Sequence, residues 1–228
     1  MVSGAMKSLF RSRARSIKER FTDKDEDTLA TPLGLRLGAA VDIDTLPLRM
    51  HADELHIDLP EETKLIVAQG FVDLGDDTYV HRFYAADDTM IQVLTAHGVE
   101  DEHIEEVTLY VPYESFYPST PEEWERWTGR GGKLGAPSYR LDDETVYNRI
   151  WFDDFDGHVD PVEFTENVYD DPEADEARAI YQKVMLFGRN LEAGKKNEYL
   201  LLAAESYDGE TTVELMVGAD LEITGLKV

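Results

Sequence analysis

The sequence contains no cysteine, and this absence removes several kinds of chemistry at once. Disulfide bonds, thiol nucleophiles and thiolate metal sites all require cysteine, so none of them can contribute to stability or function. The chain also lacks any run of 18 apolar residues, and its start lacks the apolar segment of a secretory signal. We therefore expect a cytoplasmic protein that does not span a membrane.

Basic residues are scarce as well. The 228 residues include 22 Lys and Arg against 48 Asp and Glu, which gives a formal net charge of −26 at pH 7. A surface of this sign repels a phosphate backbone, so the composition argues against nucleic acid as a partner. It favours partners that carry positive charge.

The few basic residues are concentrated at the start of the chain. Residues 1–20 hold six of them and a single acid, so this segment carries +5 in an otherwise acidic protein. Apolar residues recur there every three or four positions, with cations one position later, which predicts a basic amphipathic helix over 1–21. Such a helix suits an anionic membrane or a protein partner. The residues expected to make this contact are Lys7, Phe10, Arg11, Arg15, Ile17, Lys18 and Phe21.

Two other states of this basic tail stay open, namely a tail folded back on its own acidic body and a disordered tail. Residues 22–32 are mostly charged or small and end at Pro32, which predicts a linker. The remaining residues, 33–228, are predicted to form one α+β domain, with two lobes that divide near 129–137.

The domain is predicted to be rich in β-strands, mostly antiparallel, with few short helices. Apolar runs at 65–74, 78–84 and 89–95 are separated by short turn segments, so they predict a three-stranded meander that 104–113 extends. They could share one sheet with the strands that follow, or each half could form its own sheet. The later strands are expected at 144–152, 162–169, 179–188, 198–206 and 211–217, with a hairpin turn at Asp208-Gly209 and a helical alternative for 179–188.

One helix is signalled clearly in the domain. Thr120, Pro121 and Glu123 supply a capping hydroxyl, a proline in the first turn and a capping-box carboxylate. We expect a short helix that carries Trp124 and ends at Gly129, with its tryptophans packed in the core.

A cluster of acids after Phe152 is the strongest metal candidate. Asp154, Asp156 and Glu163 match positions 3, 5 and 12 of a calcium-binding loop. Position 1 would be Phe152, which has no oxygen ligand, and the flanking residues predict strands rather than helices. We favour a solvated acidic turn and keep Asp154, Asp156 and Glu163 as the metal candidates.

No motif for catalysis or cofactor binding is complete. The six histidines lack the paired spacing of zinc hydrolases, and His51 and His56 are interpreted as surface residues. The glycine-rich stretch at 129–132 has Trp127 and Leu134 where a phosphate-binding loop requires glycine and a hydroxyl residue. We therefore predict no catalytic residue and no cofactor.

Five short segments, taken in order, carry a family resemblance. They are Thr31 to Leu35 with Gly38, Tyr147 to Trp151, Glu163 to Glu166, Met185 to Arg189, and Glu198 to Leu201. Together they resemble the YjfK family, a bacterial family of domains of unknown function, over about residues 29–228. The resemblance implies a cytoplasmic protein encoded near a phage-shock-protein A-like protein that remodels membranes, and it implies no catalytic residues. The basic tail lies outside the region of resemblance.

These observations lead to the hypothesis of a non-enzymatic accessory or adaptor protein. It would be linked to membrane stress or membrane remodelling through a phage-shock-protein A-like partner, peripheral to the inner face of the plasma membrane. The alternative is a divalent-metal-binding or carboxylate-based enzyme of unknown substrate that uses the acids at 153–163. A third hypothesis is that the acidic surface mimics nucleic acid to occupy a basic protein.

Overall fold

The computed structural model describes residues 29–171, 176–191 and 196–228. In these ranges the chain is built mainly of β-strands, with two short α-helices. The strands are β1 (Ala40–Ile43), β2 (Lys64–Gly75), β3 (Thr78–Ala85), β4 (Met90–Ala96), β5 (Ile104–Phe116), β6 (Ser138–Arg140), β7 (Val146–Arg149), β8 (Val162–Tyr169), β9 (Arg178–Asn190), β10 (Asn197–Tyr207), β11 (Glu210–Asp220) and β12 (Leu226–Lys227), and the helices are α1 (Leu46–Arg49) and α2 (Pro121–Thr128).

The predicted meander is confirmed. Strands β2, β3, β4 and β5 pair in sequence order, each antiparallel to the one before. Asp76 and Asp77 connect β2 to β3 with φ angles of 50° and 55°. A two-residue hairpin turn whose twist matches the strands needs positive φ at both positions, and Asp tolerates this conformation.

Strands from both halves of the chain join in one closed sheet. β5 pairs with β11, followed by β10, β9 and β8, and β8 returns to β2, so eight antiparallel strands form a ring. The pairs β1–β12 and β6–β7 extend this sheet from β2 and β9. Of the two arrangements that the sequence allowed, the single sheet is the one observed. The predicted domain limits stay predictions.

The strand predicted at 179–188 is confirmed and its helical alternative is wrong, because β8 and β10 hydrogen-bond to β9 on its two sides. One segment differs from its prediction. The strand expected at 144–152 shortens to β7, since the chain turns sharply at Phe152, whose φ is 61°. That turn directs residues 153–157 away from the sheet and towards the candidate site described below.

Helix α2 forms as predicted. Thr120 Oγ1 accepts a hydrogen bond from the main-chain N–H of Glu123 at 3.2 Å, and the Glu123 carboxylate accepts one from Ser119. Trp127 is buried and packs against Phe116, with 4.8 Å between ring centroids. Among the described residues, no helix combines the length and the apolar character needed to cross a bilayer.

The interior of the closed sheet contains buried charge. Arg82 of β3 and Glu166 of β8 form an ion pair with 2.7 Å between Nη1 and Oε2, and their side chains are 4% and 0% exposed. The hydroxyl of Tyr84 donates to Glu166 Oε1 at 2.7 Å. A Cβ atom at Gly70 would lie 1.7 Å from that oxygen, so only glycine leaves room for the carboxylate. We call Arg82, Tyr84, Gln92, Glu166, Gln182 and Glu205 the interior network.

The interior network is a scaffold rather than a ligand site. The void beside Arg82 measures about 10 Å³, close to the minimum of roughly 10–15 Å³ that one water needs. Burial lowers the pKa of Arg82, but Glu166, Tyr84 and Glu205 together raise it above its ordinary value, so the cation is retained. Burial, with a further contribution from Glu166, raises the pKa of Glu205 to about 7.

Candidate functional site

A second buried carboxylate lies on the opposite face of the same sheet. Glu198 is seven positions from Glu205 on β10, so the two side chains leave the strand in opposite directions. Glu198 is 0% exposed, and its Oε2 accepts hydrogen bonds from Arg189 Nε at 2.9 Å and Nη2 at 2.7 Å. The Tyr147 hydroxyl donates to the same oxygen at 2.6 Å. This cluster therefore takes Tyr147 from β7, Arg189 from β9 and Glu198 from β10.

The segment before β2 is fastened to this carboxylate. The main-chain N–H groups of His56 and Ile57 both donate to Glu198 Oε1. On the imidazole of His56, Nε2 donates to Asp143 Oδ2 at 2.7 Å, and Nδ1 lies 3.0 Å from Arg189 Nη2. His56 is therefore a bridge between three parts of the chain, not the simple surface residue that its spacing suggested. We call His56, Asp143, Tyr147, Arg189 and Glu198 the outer network.

The electrostatics of the outer network favour a fixed arrangement. Burial and the hydrogen bond to Glu198 raise the pKa of Tyr147 well above its ordinary value, so its hydroxyl stays a donor. The hydrogen bond from His56, followed by bonds from Thr145, lowers the pKa of Asp143 to about 2. Burial lowers the pKa of Arg189, but Glu198 and Tyr147 together raise it above its ordinary value.

The outer network is not arranged as a catalytic triad. Thr145 Oγ1 lies 3.5 Å from His56 Nε2 and is the nearest aliphatic hydroxyl among the contacts of that ring. The same nitrogen is 2.7 Å from Asp143, so a carboxylate fills the position that a nucleophile would need. What the arrangement can do chemically is to orient Arg189 and to hold the chain around His56 in place.

A cavity of about 430 Å³ opens beside Arg189, within the range of ligand-binding cavities. Its walls combine amides, a hydroxyl and acids with two guanidinium groups and a few apolar surfaces. The lining residues are Pro137, Ser138, Asn148, Arg149, Ile150, Asp153, Phe155, Asp156, Gly188, Arg189, Asn190 and Asn197.

Arg149 shapes one wall of this cavity. Its guanidinium donates to the main-chain oxygens of Gly135 and Gly157 at 3.0 and 2.9 Å, and its Nε donates to that of Trp151 at 3.1 Å. It also donates to the carbonyls of Phe152 and Phe155. These bonds hold the loop that follows β7, in which Phe155 is 56% exposed.

The structure does not bring the predicted metal candidates together as a metal site. Asp154 and Asp156 are exposed in the loop after β7, whereas Glu163 lies on β8, with its carboxylate 3.1 Å from Lys183 Nζ. In the described ranges, no three His, Asp or Glu side chains are grouped in a way that could hold a metal ion. The seven predicted contact residues of the tail, from Lys7 to Phe21, lie outside the described residues.

Comparison with known proteins places the chain in a family. A family model described as a protein of unknown function, DUF2491, matches residues 16–227. The uncharacterized protein YjfK of Escherichia coli strain K12 is 27% identical over 201 residues, which cover 86% of this chain and 90% of that protein. The chain belongs to the YjfK family. The resemblance stated from the sequence is confirmed, although the match starts at residue 16 and so includes the end of the basic tail. No solved structure matches the chain.

Three of the segments that carry the YjfK resemblance meet at the candidate site. Tyr147, Arg189 and Glu198 come from the segments 147–151, 185–189 and 198–201, and they contact one another directly. Sequence reasoning did not find this cluster. A usable signal was present, because Glu198 stands on the same face of its strand as Leu200 and Leu202, where a charge is costly unless it is paired.

Proposed function

We propose that this YjfK-family protein is a non-enzymatic adaptor that binds a basic protein partner. In this proposal the protein works in the cytoplasm, at the inner face of the plasma membrane. The partner that the resemblance implies is a phage-shock-protein A-like protein, which links the adaptor to membrane stress. The basic tail adds a contact with anionic lipid.

One observation carries the proposal: the domain engages eight of its 15 Lys and Arg with groups of its own and keeps a large excess of acids. Residues 29–228 contain 43 Asp and Glu against 15 Lys and Arg, a net charge of −28. Arg82, Arg149 and Arg189 are engaged with groups of the domain itself, as described above. Five further cations lie in ion pairs at the surface, namely Arg49–Glu61, Lys64–Asp87, Arg140–Glu144, Arg178–Asp170 and Lys183–Glu163.

This distribution of charge favours a basic partner over a substrate. Because these cations are already paired, the excess carboxylates give the surface a negative potential that attracts and orients a positively charged protein. The outer network supports the same view, since His56 stands between carboxylates without a placed nucleophile. A binding role needs no further group, whereas catalysis would need one.

The test of the membrane contact is co-sedimentation of the full chain with vesicles of neutral lipid and of mixed neutral and anionic lipid, at two salt concentrations. The variant replaces Arg11, Arg15 and Lys18 by Gln. Each cation near an anionic membrane contributes about 1 kcal/mol, so we expect roughly 100-fold weaker binding to anionic vesicles. The matched control replaces three exposed cations of the domain, Arg126, Arg130 and Lys227, by Gln, and it should bind as the wild type does.

The test of partner binding uses the same proteins with a purified phage-shock-protein A-like protein. We expect salt-sensitive binding that the tail variant retains, because the acidic domain supplies the contact. Equal lipid binding by both triple variants would refute the membrane contact. Absence of salt-sensitive binding to the basic partner would refute the adaptor function.

A further inference from the structure

We infer that the free edge of β6 binds an extended segment of the basic partner by adding it to the sheet as a further strand. This inference rests on the proposed function and specifies the shape of the partner segment and the place where it binds. It follows from the main-chain groups of β6, the aromatic rings beside it and the charges around them.

The first step concerns the main chain of β6, the last strand in the order of the sheet. At one end of its pair with β7, the carbonyl of Pro137 accepts a hydrogen bond, and at the other end Leu141 N–H donates to Thr145 O, each at 2.9 Å. In an antiparallel pair, main-chain groups point to the partner strand at every second residue. Ser138 and Arg140 therefore direct their N–H and C=O groups away from β7.

These outward groups form an open edge. In the described ranges, no hydrogen bond reaches the main-chain N–H and C=O groups of Ser138 and Arg140, and both residues are exposed. Unpaired main-chain groups at a sheet edge are the template on which an extended peptide adds as a strand. Because the edge is only three residues long, it supplies few main-chain bonds, and side-chain contacts must select the segment.

The second step concerns the two faces of β6. The side chain of Ser138 lines the cavity of about 430 Å³ on one face. Tyr139 belongs to the other face, where its ring stacks on Trp127 with 6.4 Å between centroids. An added strand would place successive side chains at the cavity and at these rings in turn.

The third step concerns the rings, which already accommodate an ammonium group. Lys133 Nζ lies 4.2 Å from the ring centroid of Trp127, 5.7 Å from that of Phe116 and 5.9 Å from that of Tyr139. Aromatic rings attract cations through the negative charge of their faces. This set of rings therefore favours a Lys or Arg side chain on the added strand, next to Lys133 or in its place.

The fourth step concerns the charges at this edge. Glu114 and Asp142 are exposed, and after burial they are the main groups that raise the pKa of Tyr139, to about 12. Arg140, the cation of β6 itself, is paired with Glu144 at 2.8 Å. Since two carboxylates exceed the single charge of Lys133, a cationic segment is favoured at this edge over a neutral or acidic one.

The test measures binding of a fluorescent peptide of alternating Lys and Val to the full chain, because Val favours an extended conformation. One comparison peptide has Gln in place of Lys. Another carries N-methyl groups on alternate main-chain nitrogens, which removes hydrogen-bond donors and leaves the charge unchanged.

Two variants of the protein separate the main-chain contact from the charge. Ser138→Pro removes an outward N–H, which an edge strand tolerates, and its matched control Ser138→Ala keeps that N–H. Glu114→Gln with Asp142→Asn removes the two charges beside the rings. Its matched control, Asp208→Asn with Glu210→Gln, removes the same charge next to the β10–β11 turn.

We expect about tenfold weaker binding for Ser138→Pro and for the N-methylated peptide, because each loses main-chain hydrogen bonds. The charge variant should bind about threefold more weakly, and both controls should change binding by less than about twofold. Binding of the Lys peptide to the wild type should also slow hydrogen exchange at the N–H groups of Ser138 and Arg140. This last measurement needs no variant, so it decides the matter even if Ser138→Pro fails to fold.

Unchanged exchange at these two N–H groups, with equal binding of the N-methylated peptide, would overturn strand addition at β6 and leave the adaptor function standing. Slow exchange that appears without peptide and increases with protein concentration would assign the edge to a second copy of the chain, and would also overturn the inference. Failure of the wild type to prefer the Lys peptide to the Gln peptide would count against the adaptor function itself, and the inference would fall with it.

Discussion

The interior and outer networks of this protein use the same three groups in different surroundings. Arg82, Glu166 and Tyr84 form one set, in which the carboxylate accepts from the guanidinium and the hydroxyl at 2.7 Å each. Arg189, Glu198 and Tyr147 form the other, with 2.7 and 2.6 Å. Both glutamates are 0% exposed. The chemistry of the pair is therefore not what distinguishes the two regions.

The difference lies in what completes each set. Inside the closed sheet, Arg82 also donates hydrogen bonds to the side-chain amides of Gln92 and Gln182. The adjoining void is about 10 Å³. On the outer face, the main-chain N–H groups of His56 and Ile57 complete the carboxylate, and Arg189 borders a cavity of about 430 Å³. An Arg–Glu ion pair thus lies in a closely packed interior in one place. In the other, it holds the main chain at His56 and Ile57 beside an open cavity.

The largest expected effect comes from removing the arginine of each set. Arg82→Met leaves Glu166 charged and unpaired in the interior, which should lower the free energy of unfolding by about 3–5 kcal/mol. Arg189→Met should cost about 1–3 kcal/mol, because Arg189 is 20% exposed and Glu198 keeps its other donors. Urea unfolding at neutral pH measures both. Equal losses of unfolding free energy in the two variants would contradict the difference between the two networks. Adding Glu166→Gln to Arg82→Met should restore part of the lost stability.

A second prediction uses the titration of Glu205, which has no counterpart in the outer network. Its folded pKa of about 7 lies above the ordinary value of 4.5, so the folded state holds the proton more tightly than the unfolded state. Stability from this group is present at low pH and is lost as the pH rises from about 4.5 to 7. Glu205→Gln should therefore stabilise the protein at pH 8 by an amount on the order of 2 kcal/mol, and hardly at all at pH 4.

Melting curves of wild type and Glu205→Gln across this pH range provide the measurement. A constant difference between the two proteins at every pH would contradict the assignment of the titration to Glu205. Asp87→Asn, outside both networks, serves as the control: burial raises the pKa of Asp87, but hydrogen bonds from Lys64 and Thr89 bring it below its ordinary value, so the group stays ionised through most of the range.

Pairing between strands that are neighbours in sequence could be predicted from the sequence. Pairing between distant strands could not. The meander was predictable because each strand pairs with its neighbour across a turn such as Asp76-Asp77. The closing pairs β5–β11 and β2–β8 join residues about a hundred positions apart, and no local pattern encodes which distant strands meet.

The same limit applies to the two networks. Glu166 alternates with Phe164 and Val168 on one face of β8, so the sequence shows that a charge is buried there. Its partner Arg82 is 84 positions away and cannot be chosen without the sheet register. The cavity depends even more on tertiary structure, because Arg149 forms it by binding carbonyl groups that no side-chain pattern reveals.

The smallest expected effect comes from removing each tyrosine hydroxyl. Tyr84→Phe and Tyr147→Phe each delete one hydrogen bond to a buried glutamate, and each should cost about 1–2 kcal/mol. Stability alone cannot separate the two, but local opening can. Glu198 accepts from the N–H groups of His56 and Ile57, so Tyr147→Phe should speed hydrogen exchange at these two amides, whereas Tyr84→Phe should change them only through global unfolding. If both variants sped exchange at His56 and Ile57 equally, the outer network would be part of the same cooperative unit as the interior, and its role as a separate fastening beside the cavity would have to be given up.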